Sequence, residues 1–257
     1  MPIKILPDKN DSVDFLAIAA HPDDVELCCA GTLAKLAKSG YKTAVLDLTN
    51  GEMGTRGTPE LRLEEASDAG KILGLAGRYN LGLPDAALTN SDAHRIAIIS
   101  AVRTLRPAVC FINAQTDRHP DHGNAHKLTK DALFYGGLKK ILTKDEQGNV
   151  QQPWRPNHVL MYMQDSPFEP DLVFDISETM AHKEKAILAF KSQFNVPEND
   201  DGPKTYISGS GFFEMIRSRA RIFGHQIGVE YGEPFNYLNG PVPFTSFDGF
   251  MKHKPAR

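Results

Sequence analysis

The chain has 257 residues, 41% hydrophobic and 24% charged, with a formal net charge of −3 and three cysteines. That length suits one α/β domain with a sizeable core, taken here as residues 1–257, and the slightly acidic balance offers no field to hold a nucleic-acid backbone. Cys28, Cys29 and Cys110 form no disulfide framework and read as small buried residues of a cytoplasmic protein, and the apolar run Phe15–Ala20 is too short for a membrane span or a signal-peptide core.

In chain order, Phe15–Ala20 is a continuous apolar run, the pattern of a strand buried on both faces. Val25–Lys38 carries Leu27, Leu33, Ala34 and Leu36 at helical spacing, and Thr43–Leu48 is strand-like. Pro59–Leu73 opens on proline and stops at Gly74, the start and stop signals of a helix. Tyr79–Leu83 is a short strand before Pro84, Ala93–Leu105 a helix, Ala108–Asn113 a second buried strand, and His122–Tyr135 a helix ended by Gly136-Gly137. This β-α-β-α rhythm predicts a Rossmann-like, mostly parallel sheet with helices on both faces, whose ligands gather beyond the carboxyl ends of the strands. The second half is less regular. Lys139–Pro156 is a polar loop, His158–Met163 and Asp171–Ile176 are strands, Ser177–Phe190 is a helix with Ser177 as N-cap, Phe194–Pro203 is a turn-rich loop, and Gly211–Gly224 is helical. The tail from Glu233 has three prolines before Phe244 and little periodicity, and no repeat or linker divides the chain.

Two clusters stand at expected strand ends: His21-Pro22-Asp23-Asp24 and His119-Pro120-Asp121-His122. Helix capping alone would account for Asp23 and Asp24, with Asp23 and Glu26 spaced as a capping box, but not for His21 or for the recurrence of the same chemistry at 119–122. His21 and Asp24 can face one point across a tight turn, and His122 can reach it from the neighbouring strand end. Two imidazoles and a carboxylate leave coordination positions open, as catalytic zinc requires; the same set describes Fe(II) facial triads. Asp23 is then free to act as general base, His119 to polarise a carbonyl or protonate a leaving amine, and Asp121 to hold His119 in one tautomer. The spare acid favours hydrolysis over oxygen chemistry.

The run Ala20-His21-Pro22-Asp23-Asp24-Val25-Glu26 resembles the signature of LmbE-like, or PIG-L-type, N-acetylglucosamine deacetylases. Asp47-Leu48-Thr49, Glu60-Leu61-Arg62, Asn80-Leu81-Gly82, Asp117–His122, Phe174–Ser177, Ser192-Gln193-Phe194 and Phe223-Gly224 extend the resemblance over nearly the whole chain, and together they look most like the bacillithiol-biosynthesis branch. The resemblance implies an LmbE-like deacetylase fold, with zinc ligands His21, Asp24 and His122, the base Asp23, and His119 stabilising the oxyanion with Asp121 behind it. It implies that Arg62 contacts substrate, where the residues alone favour a helix-surface pair with Glu64 or Glu65. Arg56, in the loop Met53–Gly57, either touches substrate or only decorates the loop. Some relatives carry tyrosine at the place of Phe212, so that position receives no polar role.

The expected activity is hydrolysis of the N-acetyl group of N-acetylglucosaminyl malate, with Zn2+ (or Fe2+) as cofactor, a small-molecule amino-sugar substrate, no nucleic-acid or membrane partner, and a homo-oligomeric state. The alternatives are a deacetylase of chitooligosaccharides or of a glycosylphosphatidylinositol precursor, an amidase of bacillithiol S-conjugates, and a non-catalytic metal- or sugar-binding protein. His126, four residues after His122, is read as structural, and Trp154 as packing on its own surface.

Overall fold

The computed structural model describes residues 3–6, 12–194 and 202–243. Its elements are β1 (Ile3–Leu6), β2 (Phe15–Ala19), α1 (Asp24–Cys28), α2 (Ala30–Lys38), β3 (Thr43–Thr49), α3 (Pro59–Leu73), β4 (Gly77–Leu83), α4 (Asp92–Leu105), β5 (Val109–Ile112), α5 (Pro120–Gly136), β6 (His158–Tyr162), β7 (Leu172–Asp175), α6 (Met180–Ala189), α7 (Ser210–Gln226) and β8 (Gly232–Tyr237). The strands form one sheet in the order β1-β4-β3-β2-β5-β6-β8-β7. From β4 to β6 neighbours are parallel; β1, β7 and β8 pair antiparallel.

Alternation along β2 builds the two-sided core. Leu16 and Ile18 join Leu46, Leu48, Ile98, Val102 and Leu128 on the face covered by α4 and α5. Ala17 and Ala19 join Val25, Leu33, Val45 and Phe111 on the other face, under α1 and α2. The small alanines let those helices approach closely, and α3, α6 and α7 pack outside them through Ala66, Ala69, Ile187 and Ile216. The chain leaves β2 for β3 on one side, while β5 lies on the other. The crevice at that reversal, past the carboxyl ends of β2 and β5, is where ligands collect in such sheets.

Helix boundaries follow local chemistry. Thr58 caps α3 by accepting from the Leu61 N–H, Pro59 stands at its first turn, and Gly74 ends it at φ 69°. The helix expected over Val25–Lys38 is instead broken at Cys29. The break gives α2 its own N-terminus, whose Gly31 and Thr32 N–H groups donate to the buried Glu233 carboxylate at 3.0 and 2.7 Å. Lys183 neutralises Glu233 at 2.6 Å. Glu233 lies in β8, so the tail expected to be irregular from that residue begins as a strand that runs to Tyr237. Pro234 pairs with Val173, while the ladder to β6 ends at the adjacent Tyr162–Phe235 pair, so its missing N–H costs nothing there. Ser177 does not cap α6; its hydroxyl donates to Asp175 and accepts from the Glu230 and Tyr231 N–H groups, and the N-cap is Thr179. Of the loop expected over Phe194–Pro203, residues 195–201 lie outside the described residues, as do Phe244 and everything after it. No helix among the described residues is long and apolar enough to cross a membrane.

Candidate metal centre and active-site cleft

β2 delivers His21 to the crevice, and the backbone turns at once into α1. Asp23 makes that turn at φ 112°, a conformation costing a non-glycine residue about 1–3 kcal/mol. The capping box does not form: Asp23 makes no side-chain cap bond. Glu26 instead bonds Arg78 at 2.6 Å. Arg78, fully buried, also forks onto Asp47 of β3 at 2.8 and 3.0 Å, tying α1 to the floor of the sheet. On the neighbouring strand end, His119 is the N-cap of α5 and Pro120 its first residue, so His122 stands in the first turn and faces back to the β2 end.

The two clusters meet. Asp24 touches both predicted histidine ligands: Oδ1 is 3.1 Å from His122 Nε2 and Oδ2 is 3.7 Å from His21 Nδ1. Each histidine has its other ring nitrogen on a carboxylate, His21 Nε2 on Asp85 at 3.1 Å and His122 Nδ1 on Asp117 at 2.5 Å. This is the outer support that orients ligand imidazoles and raises their basicity. Asp85 and Asp117 were assigned no role from sequence. The motif contained Asp117, and its spacing of five from His122 was the available signal; Asp85 joins only through the fold.

Electrostatics at the centre call for positive charge. Burial works against the cationic forms of His21 and His122, but the surrounding carboxylates outweigh it, raising them to about 10 and about 9. Burial likewise opposes ionisation of Asp24, yet His122 and His21 hold it well below the carboxylate range. Without a metal the cluster is neutralised by protons on its imidazoles, which is the charge a divalent cation would replace. The donors therefore fit a metal: His21 Nδ1, Asp24 and His122 Nε2 would hold it. His119 is the other nitrogen nearby, since ligand atoms of His21, His119 and His122 lie within 4.8 Å of one another.

Asp23 is buried against Arg62, with Oδ2 3.1 Å from Nη2. Burial raises it to about 7 despite the guanidinium, which pulls the other way. That value suits a base working near neutrality. Arg62 also donates to the Pro22 carbonyl. It is neither a surface residue paired with Glu64 or Glu65 nor part of the cavity wall; it lies buried behind Asp23. Arg56, expected either to touch substrate or only to decorate its loop, is held by backbone carbonyls. Its Nε and Nη1 donate to the Ser192 and Pro203 carbonyls, and its loop reaches the cavity through Met53 and Gly54 instead.

Asp121 is corrected as well. Its carboxylate accepts from the Ala86 N–H at 2.8 Å and lies 3.6 Å from His21 Nε2, so it supports His21 rather than His119. The tautomer of His119 is set by the Asp121 backbone, whose N–H donates to Nδ1 at 3.2 Å. Burial and the neighbouring histidinium charges lower His119, keeping it neutral with its proton on Nε2.

The cleft over these groups has a volume of about 460 Å³. Its polar floor holds His21, Asp23, Asp24, His119 and His122; Leu27, Ile207, Phe212, Met215 and Ile216 form an apolar wall. Phe212 thus lines the cleft without a polar group. Tyr206 stands nearby, its hydroxyl on Asp165 at 2.9 Å and the Arg118 guanidinium 4.3 Å over its ring. His126 is buried on the Asn113 carbonyl and does not line the cleft, and Trp154 donates to the Pro107 carbonyl under Arg106.

The PIG-L family profile, described as GlcNAc-PI de-N-acetylase, matches residues 16–133, a span holding both clusters. The diacetylchitobiose deacetylase of Thermococcus kodakarensis is 29% identical over 245 residues, 90% of this chain and 85% of that one. The 1D-myo-inositol 2-acetamido-2-deoxy-alpha-D-glucopyranoside deacetylase of Actinosynnema mirum is 27% identical over 253 residues, covering 79% and 88%. Among solved structures, the conserved protein TT1542 of Thermus thermophilus superposes with a TM-score of 0.81 at 38% identity, over 92% of this chain and 99% of that one.

Proposed function

The chain belongs to the PIG-L, or LmbE-like, deacetylase family, and on that footing we propose that it is a zinc-dependent deacetylase of N-acetylglucosaminyl malate, releasing acetate and the free amine. The observation that supports this reading best is Asp24 in contact with both His21 and His122 while Asp23, buried against Arg62, stands beside it unused as a ligand.

A zinc ion held by His21, Asp24 and His122 would act as a Lewis acid on the acetyl carbonyl and make water easier to deprotonate. The chain's own groups do the rest. Asp23 Oδ takes a proton from the attacking water, with Arg62 holding the carboxylate in place. His119 donates from Nε2 to the acetyl oxygen as negative charge develops there. Asp23 then returns its proton to the departing nitrogen, so the C–N bond breaks to give acetic acid and the amine, and the acid's remaining proton passes to the amine or to solvent to leave acetate. The cleft accepts a small soluble amino sugar; the reading places the enzyme in the cytoplasm and, from the family resemblance, in a homo-oligomer, which light scattering would test.

The test is acetate release from a panel of N-acetylglucosaminides by metal-loaded protein. Preference for the malate conjugate supports the proposal. Equal rates on chitooligosaccharides, or faster cleavage of a bacillithiol S-conjugate, would replace its substrate. No turnover by loaded protein would leave a binding protein.

A further inference from the structure

We infer that Gln164 is a substrate-contacting residue whose side-chain Nε2 donates a hydrogen bond to a hydroxyl oxygen of the sugar, an assignment that rests on reading the cleft as an amino-sugar site. Gln164 follows β6, lines the cleft beside the metal centre and is only 5% exposed.

Its orientation follows from a chain of donors that begins at Asp24. Asn113 Nδ2 lies 3.5 Å from Asp24 Oδ2 and 2.8 Å from the Gln164 side-chain oxygen. An ionised carboxylate only accepts, so the Asn113 atom turned toward it is the NH2 group. The second hydrogen of that group requires an acceptor on Gln164, which directs Oε1 to Asn113 and leaves Nε2 to the cleft. Turning Asn113 over would set its oxygen against the carboxylate. The fold keeps the stated orientation even though Asn113 Oδ1 is then buried without a partner. Gln164 Nε2 makes no hydrogen bond among the described residues and is not among the occluded unpartnered atoms.

The backbone around Gln164 is held equally firmly. Its carbonyl accepts from Arg219, which also donates to the Leu27 carbonyl at 3.2 Å. The next two N–H groups, of Asp165 and Ser166, donate to Asp117 Oδ1 at 2.9 and 2.7 Å. Asp117 is the residue that orients His122 through its other oxygen. One carboxylate thus sets the position of a metal-ligand candidate and of the loop carrying Gln164. A fixed, nearly buried donor without a protein partner strongly rejects a substrate lacking the matching oxygen. The acetyl oxygen already has His119, and of the acceptors that remain we assign Gln164 to a ring hydroxyl, the C3 hydroxyl being the one that flanks the acetamido carbon. Gln164 lies outside the span matched by the family profile.

The experiment compares wild type, Gln164→Leu and Gln164→Glu on N-acetylglucosaminyl malate and its 3-, 4- and 6-deoxy analogues, with metal content measured for each. Gln164→Glu keeps an acceptor for Asn113 and replaces the amide donor by a charged carboxylate oxygen, guarding against misfolding of the leucine variant. The expected result is a fall in kcat/KM of about 10- to 100-fold, mostly in KM, at unchanged metal content, and one deoxy analogue handled equally by wild type and both variants. Unchanged kcat/KM in both variants, or an equal loss on every analogue, overturns the assignment while leaving the deacetylase reading intact. If wild type turns over neither these substrates nor any other N-acetylglucosaminide of the panel, the deacetylase reading fails and the assignment falls with it.

Discussion

Arg62 Nη2 sits 3.1 Å from Asp23 Oδ2, both side chains nearly buried, so the guanidinium is the immediate counter-charge of the proposed base. Replacing Arg62 with Met should push Asp23 upward. The acid limb of the kcat/KM profile then moves to higher pH, and the rate at pH 7 drops roughly tenfold per pH unit of that displacement. Arg62→Lys, which retains the charge, should recover part of the loss. A profile unmoved by Arg62→Met would mean that Asp23 is not the group titrating.

Asp23 also gives metal-free protein a characteristic pH dependence. Its carboxyl titrates near 3.8 unfolded and at about 7 folded, so between these values the folded chain binds the extra proton. Stability therefore falls as pH rises through that window, at up to about 1.4 kcal/mol per pH unit, and the contribution is gone above about 7. Urea unfolding of metal-free wild type and Asp23→Asn between pH 4.5 and 7.5 should show curves that diverge with pH, the variant becoming the more stable. In the loaded enzyme Asp23→Asn should retain its metal and lose turnover by about a hundred- to ten-thousandfold.

Asp117 Oδ2 holds His122 Nδ1 at 2.5 Å. Asp117→Asn should weaken metal binding by about 10- to 100-fold, as read by chelator competition, because the ligand nitrogen loses the carboxylate that orients it. Equal affinity for wild type and variant would remove Asp117 from the centre.

His21 and His122, raised to about 10 and about 9, are both protonated at pH 7 in the metal-free protein. A metal must displace those protons, so titration calorimetry in buffers of different ionisation heat should find about two protons released per ion, with affinity rising with pH. Saturation should also stabilise the fold, by about 2.7 kcal/mol at a hundred times Kd. Binding without proton release would contradict the ligand set.

His119 and Asp24 compete for the third place in that set. With Asp24 as ligand, His119→Ala should keep its metal and lose about a hundred- to a thousandfold in kcat, the cost of an oxyanion donor. Loss of metal from His119→Ala, with retention in Asp24→Asn, would reverse the assignment.

Read along the chain, the strand ends and the two His/Asp clusters were legible because buried parallel strands are apolar runs and ligands bunch in the turns that follow them. The break at Cys29 and the strand at Gly232–Tyr237 were not. They depend on one another through Glu233 and the α2 N-terminus, residues about 200 positions apart. Arg62 and Arg56 show the same limit. Sequence left Arg56 between a substrate contact and loop decoration, and Arg62 between a surface ion pair and the substrate contact that the resemblance implies; their partners, Asp23 for Arg62 and the Ser192 and Pro203 carbonyls for Arg56, are met only in the folded chain.

From sequence alone, then, came the kind of chemistry: the residue types able to hold a metal and move a proton, and the strand ends at which they stand. Tertiary structure decided which oxygen serves which nitrogen. It gave His21 to Asp85 and Asp121, His122 to Asp117, and the cleft-facing amide to Gln164. The reason is physical. Coordinating residue types are specified by local composition, whereas hydrogen-bond partnership at 3 Å depends on how separate strands and helices are set against one another across the sheet.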